Sequence, residues 1–114
     1  MISKYYRDKK VLVTGGAGLI GSCITDELIE CGADVVVLDN LYRGKKSYIK
    51  QVAKTNFLQC DILDTAAYRE PLMDAQIVVH AASKVLGIGY SSKNHLDMML
   101  HNDNMTNALS RQFH

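Results

Sequence analysis

Apolar and polar positions fall in blocks along this chain. Val11-Leu12-Val13, Val35-Val36-Val37-Leu38, Phe57-Leu58 and Ile77-Val78-Val79 are short runs rich in β-branched and large apolar residues. Such runs form buried strands, here at about 10–14, 34–38, 57–60 and 76–80. They are apolar throughout, as parallel strands covered on both faces are. Between the first two, Ile20, Ile24, Leu28 and Cys31 recur at helical spacing and predict a helix over 19–31 with that face buried. Asp26, Glu27 and Glu30 fall on its other faces, and Gly32 suits a left-handed helix end. A short helix over 47–53, capped by Ser47, and another over 65–73 that starts near Thr65 fill the next two connections. Pro71 should kink or end the latter. A loop with Gly87 and Gly89 precedes a last helix over 95–110, and residues 1–9 read as a polar lead-in. Strands alternating with helices predict an α/β fold: a Rossmann-type doubly wound parallel sheet, incomplete, with right-handed crossovers and strand order 3-2-1-4. Strands one and four then flank the switch point where ligands bind such sheets.

The most informative punctuation is Gly15-Gly16-Ala17-Gly18-Leu19-Ile20-Gly21, between the first strand and the first helix. Gly15 and Gly16 allow a tight turn, Gly18 lets a phosphate approach the main chain, and Gly21 lets the helix pack close. The helix start offers free N–H groups and a partial positive charge to that phosphate. Asp39 ends the second strand, where a carboxylate accepts both ribose hydroxyls of an adenosine. Glycines and acid together, in strand–turn–helix context, point to a dinucleotide site rather than to a bare turn.

Composition narrows the setting. At 114 residues the chain holds one domain at most, and 47% apolar residues suffice for a core. A net charge of +1 with no polybasic run gives no reason to expect nucleic acid. No run reaches the roughly 18 apolar residues of a membrane span, and the polar start lacks a signal-peptide segment. The three cysteines, Cys23, Cys31 and Cys60, follow no metal spacing. They read as reduced core or near-core thiols of a cytoplasmic protein.

Thr14-Gly15-Gly16-Ala17-Gly18-Leu19-Ile20-Gly21 resembles the TGxxGxIG motif of extended short-chain dehydrogenase/reductases. Val37-Leu38-Asp39-Asn40-Leu41 with Gly44-Lys45 resembles the ribose segment of nucleotide-sugar epimerases and dehydratases. Cys60-Asp61-Ile62 and Val78-Val79-His80-Ala81-Ala82 match two further strand ends of that family. Lys84 to Tyr90, Asp97-Met98-Met99 and Asn102 look most like the GDP-fucose synthase branch. The resemblance covers about residues 9–109 and implies an NAD(P) site. It assigns the pyrophosphate to Gly15, Gly18 and Gly21 with the main chain of Leu19 and Ile20. Asp39 would take the ribose, flanked by Asn40 or Arg43; Asp61 would take the adenine amino group and Ile62 the ring face. Ala81, Ala82 and Lys84 would line the path to the nicotinamide, and Asn102 would help seat the cofactor.

Several of these residues have plainer readings. Asp61 also suits a turn cap, Lys84 a solvated loop charge, His80 a packed strand-end ring, and Tyr90 a loop anchor beside its role as a substrate contact. Asp39 repels a 2′-phosphate and favours NAD, whereas Arg43, Lys45, Lys46 and the fucose-synthase likeness pull toward NADP. NAD is the expectation.

The family's Tyr-x-x-x-Lys pair, whose lysine lowers the tyrosine pKa, has no counterpart near the nicotinamide. Tyr5 with Lys9, Tyr6 with Lys10, and Tyr42 with Lys46 match the spacing in the wrong places, so no catalytic residue is assigned. The expectation is that residues 1–114 are the N-terminal part of a dinucleotide-binding domain. The catalytic and nucleotide-sugar regions lie elsewhere, and the fourth strand is left as an open edge. The whole enzyme would act on a nucleotide sugar, with a homodimer possible. A non-catalytic NAD(H)-binding module and an inactive truncated remnant are the alternatives.

Overall fold

The computed structural model describes residues 2–82. The loop with Gly87 and Gly89, the helix expected over 95–110, and Lys84, Tyr90 and Asn102 lie outside them. The described elements are α1 (Ile2–Tyr6), β1 (Lys10–Thr14), α2 (Leu19–Glu30), β2 (Asp34–Asp39), β3 (Asn56–Gln59), α3 (Thr65–Asp74) and β4 (Ile77–His80). All strand pairs are parallel, in the order β3-β2-β1-β4. That is the expected order. The register sets Val11 beside both Val35 and Ile77, so the two apolar runs flanking β1 align at its base.

The pleat divides the core in two. Val11, Val13, Val35 and Val37 turn to the α2 face with Ala17, Leu28 and Ile49. Leu12 and Leu38 turn to the α3 face with Ile62, Tyr68 and Leu72. Central β1 is the best covered strand, with Val11 to Thr14 all buried. Among the described residues β4 pairs only with β1, and Ile77, Val78 and Val79 are half-buried.

Four expectations are corrected. The lead-in is not irregular: Ile2–Tyr6 is a short helix, and Tyr6 packs against the α2-face core. The Asp8 N–H, donating to the Gly32 carbonyl at 3.0 Å, ties that lead-in to the turn after α2. The helix over 47–53 is replaced by two 3₁₀ turns, Lys46–Tyr48 and Val52–Lys54. Asp26 on α2 explains the break, because its carboxylate accepts the N–H groups of Lys50 and Gln51, both at 3.1 Å. Buried Ile49 anchors the segment beside them, and Ser47 caps nothing. Pro71 neither ends nor interrupts α3, which runs to Asp74. Buried Tyr68 and Leu72 hold that helix to the sheet on either side of the proline. The buried face of α2 is Gly21, Ser22, Thr25 and Leu28, and Ile20 is 75% exposed. Small residues face inward there because the glycine turn draws the helix start against β1 and β2. Cys23 is accordingly exposed, whereas Cys31 and Cys60 are half-buried free thiols.

Candidate functional site: a cleft at the carboxyl ends of the strands

The carboxyl ends of β1, β2, β3 and β4 open into a cleft of about 620 Å³. Gly15, Gly18, Leu19, Ile20, Gly21, Asp39, Asn40, Arg43, Asp61, Ile62, Ala81 and Ala82 all line it. The fold thus brings together every described residue that the sequence nominated. Thr14, Leu38, Tyr42, Gly44, Tyr48 and Cys60 line it as well and were not singled out for it.

One wall is backbone. Gly15 has φ +69, and a Cβ there would stand 2.7 Å from the Ala82 main chain. The turn therefore requires glycine for its conformation and for the passage of β4's exit. Gly21 is needed for a different neighbour than expected: its Cβ would lie 2.0 Å from the Gly15 carbonyl oxygen, within the turn itself. It is Gly16 that meets the sheet, where a Cβ would run into the Val37 side chain at 2.6 Å. A Cβ on Gly18, by contrast, would meet nothing nearer than 3.4 Å. Space stands open in front of this residue, which begins α2 without a side-chain cap. The Ser22 N–H already bonds the Gly18 carbonyl at 2.9 Å, which leaves the N–H groups of Leu19, Ile20 and Gly21 as the helix's unpaired donors. Leu19 and Ile20, 73% and 75% exposed, flank them. An anion of phosphate size fits this end of the cleft on both counts, room and donors.

The opposite wall is built by side chains. Asp39 is 9% exposed, and both of its oxygens are engaged. Oδ2 accepts the Ala17 N–H at 2.9 Å and Oδ1 the Leu41 N–H at 2.7 Å. Each carboxylate oxygen has a second lone pair, so the group still accepts from a ligand hydroxyl at the cleft. Asn40 repeats the pattern, its Oδ1 accepting the Tyr42 N–H at 2.9 Å. These two side-chain turns hold Leu41 at φ +61, a left-handed conformation that bulky residues rarely adopt. Among the three cations considered for a 2′-phosphate, Arg43 alone lines the cleft. The Lys45 ammonium lies 5.9 Å from the centre of the Tyr48 ring and that of Lys46 lies 4.7 Å from the centre of the Phe57 ring.

At the third corner Asp61 does cap its turn, accepting the Leu63 N–H at 2.9 Å, and its exposed carboxylate also lines the cleft. Ile62 is 4% exposed and belongs to the core, so only its edge borders the cleft. The Tyr68 hydroxyl donates to the Ile62 carbonyl at 2.6 Å and fixes this turn from below. Burial, then the charges of Asp64 and Asp61, push the Cys60 thiol up and keep it protonated.

At the β1–β4 junction Thr14 Oγ1 lies 2.6 Å from His80 Nδ1 and accepts the Ala82 N–H at 3.3 Å. With that N–H supplied, the hydroxyl has one lone pair and one proton left, so it can accept from an Nδ1–H or donate to the bare Nδ1 of a neutral ring. Desolvation lowers the His80 pKa and favours the neutral ring. His80 is thus a strand-end ring joined to β1 through Thr14, and it is exposed where a packed ring was expected.

Comparison with known proteins gives this cleft a lineage. The model of the NAD dependent epimerase/dehydratase family matches residues 11–113. This chain belongs to that family. A UDP-glucose 4-epimerase from Lactobacillus helveticus is 47% identical over 76 residues, 65% of this chain and 22% of that protein. A UDP-N-acetyl-alpha-D-glucosaminuronate decarboxylase from Bacillus cytotoxicus is 32% identical over 92 residues, 80% of this chain and 28% of that protein. The crystal structure of a UDP-glucose 4-epimerase from Brucella ovis in complex with NAD superposes with a TM-score of 0.77 at 32% identity, covering 91% of this chain and 31% of that one. The chain thus spans less than a third of each of these three proteins. Among the described residues no helix is long and apolar enough to cross a membrane.

Proposed function

We infer that residues 1–114 are the N-terminal part of a dinucleotide-binding domain that holds NAD for an enzyme acting on a nucleotide sugar. The observation that carries this reading is the uncapped start of α2, opening on the same cleft as the Asp39 carboxylate. The two sites suit the two ends of an adenosine diphosphate. A bound nicotinamide cofactor supplies hydride acceptance and return at a sugar carbon. The chain's residues would hold it. Main-chain N–H groups of Leu19 and Ile20, beside Gly15, Gly18 and Gly21, take the pyrophosphate. Asp39 takes the ribose, with Asn40 and Arg43 at its side. Asp61 and the Ile62 edge would border the adenine, and Ala81 and Ala82 the nicotinamide half; the family resemblance adds Lys84 to that path and Asn102 to the seating of the cofactor. NAD is favoured over NADP because Asp39 opposes a 2′-phosphate and two of the three nearby cations sit against aromatic rings.

The substrate reading is a UDP-sugar, in line with what the relatives are named for. The GDP-fucose-synthase branch rests on residues 84–102, and nothing in the described cleft favours it. The parent protein would be cytoplasmic, and a homodimer is compatible with the reading. Calorimetric titration of the full chain with NAD, NADP and 2′-deoxy-NAD tests the cofactor assignment. NAD should bind saturably, and the other two about tenfold more weakly or worse, the equivalent of one lost hydrogen bond or one unfavourable charge contact. Equal affinity for all three would remove Asp39 from ribose recognition. Absence of NAD binding by folded chain would overturn the reading.

A further inference from the structure

Ala17 is held through the peptide groups on both of its sides. Its N–H donates to Asp39 Oδ2 at 2.9 Å, and its carbonyl accepts the Lys45 N–H at 3.0 Å. Ala17 is in the glycine turn; Asp39 and Lys45 bracket the segment that leaves β2. The two walls of the cleft are therefore buckled together through the two consecutive peptide groups that flank Ala17. Gly44 makes the buckle possible. A Cβ on Gly44 would stand 2.7 Å from both the carbonyl carbon and the oxygen of Ala17, and 3.0 Å from its Cβ. Two of these three atoms are backbone, so no side-chain rotation relieves the contact. Gly44 has a negative φ, so what it supplies is closeness and not a left-handed conformation.

We propose that Gly44 is a positioning residue of the nucleotide site. By admitting the Ala17 carbonyl at contact distance, it fixes the spacing between the main-chain seat for phosphate and the Asp39 seat for ribose. Gly44 acts through Ala17 and Lys45; it recognises no part of the ligand by itself. The proposal rests on the nucleotide reading above and adds that phosphate and ribose recognition form one mechanical unit. Ligands that span both seats depend on it; ligands that use one seat do not.

The test has two arms, both on the full chain. In the first, amide hydrogen exchange of the wild type is followed at Ala17 and Lys45. The two amides should open together, with the same protection, and independent opening overturns the buckle. In the second, Gly44→Ala is titrated with ADP-ribose, which spans both seats, and with adenosine, which does not. ADP-ribose should bind about tenfold more weakly, the loss expected when a preorganised loop must be ordered on binding, while adenosine changes less than about twofold. Exchange at Ala17 and Lys45 should quicken while β1 and β2 keep their protection, a local signature that general destabilisation would not produce. Unchanged ADP-ribose affinity, or equal losses for both ligands in a folded variant, overturns the proposal. Should the variant not fold, the wild-type exchange arm decides. Failure of the wild type to bind either ligand is failure of the nucleotide reading, and it overturns the role in binding whatever the amides do.

Discussion

The two walls of the cleft are built by opposite means. The β1–α2 wall is lined by Gly15, Gly18 and Gly21 beside Thr14, Leu19 and Ile20. Its shape comes from glycines that let main-chain atoms approach one another, and its donors are the unpaired N–H groups of a helix start. The β2 wall is held by side chains. Asp39 and Asn40 each accept an N–H two residues on, and together they hold Leu41 in an unfavourable conformation. At Gly15, Gly16 and Gly21 the backbone wall leaves no room for a side chain, so substitution there disrupts it. A wall made of side chains can be retuned, and cofactor preference is accordingly expected to vary on the β2 side.

That asymmetry predicts the largest effect at Gly21. Gly21→Ala drives a Cβ to 2.0 Å from the Gly15 carbonyl oxygen, with backbone on both sides of the contact. Unfolding by urea should show a loss of about 3 kcal/mol, at the upper end for overpacked sites, with NAD binding abolished. A loss below about 1 kcal/mol would show that the backbone wall yields more easily than its geometry implies.

Asp39→Asn should come second. An amide keeps one acceptor oxygen but presents NH₂ to one of the two N–H groups now bound, and both of those sites lie at a buried or half-buried position. The expected cost is about 1–2 kcal/mol of stability, from one unsatisfied buried donor. NAD affinity should fall with it, because loosening the Ala17 N–H also loosens the glycine turn. For this reason loss of binding in an Asp39 variant does not by itself report ribose contact, and 2′-deoxy-NAD on the wild type is the cleaner probe. If Asp39→Asn kept full stability yet lost NAD, the carboxylate would be a ligand contact and not a tie between the walls.

The same asymmetry explains what could be read from the sequence. Strand positions, their parallel order and the glycine turn were legible, because β-branched runs and glycine spacing are local signals. The segment over 46–54 was not. Its conformation depends on Asp26, far back on α2, taking the Lys50 and Gln51 N–H groups, and no local pattern announces that. Ile20 was misplaced for a related reason. Apolar periodicity assigns it to the core, but the closeness of the turn reserves the inner face for Gly21, Ser22 and Thr25. Gly44 stood in the ribose-segment motif without an assigned role, and Tyr68 carried no motif at all. One acts by the absence of a Cβ against Ala17, the other by a hydroxyl reaching the Ile62 carbonyl, and both depend on tertiary neighbours.

A smaller effect should appear at the β1–β4 junction, where a titrating ring joins the two strands. His80 has a lowered pKa in the folded chain and the ordinary 6.5 in the unfolded one. The unfolded state therefore binds the extra proton first. Its contribution to stability is complete above pH 6.5 and is lost progressively as pH falls from there to the folded-state pKa. Melting curves across about pH 5 to 8 should show this slope, and His80→Gln should flatten it. An unchanged slope in the variant would assign the pH dependence to other groups.

The smallest effect is expected at Arg43, and it bears directly on the retunable wall. Arg43 is exposed and lines the cleft, while its neighbours Lys45 and Lys46 rest against Tyr48 and Phe57. An exposed guanidinium beside a neutral ribose contributes little, so Arg43→Ala should weaken NAD by less than about threefold, within the range of solvent-screened contacts. A 2′-phosphate would give the same side chain a charged partner, and residual NADP affinity should fall further than NAD affinity in the variant. The ratio of the two affinities, compared before and after the substitution, isolates that partner from any general loosening of the loop. If NAD and NADP fell alike, Arg43 would hold the β2 wall in shape. If only NADP fell, the carboxylate at Asp39 and the cation at Arg43 would be opposed selectors acting on the same ribose carbon.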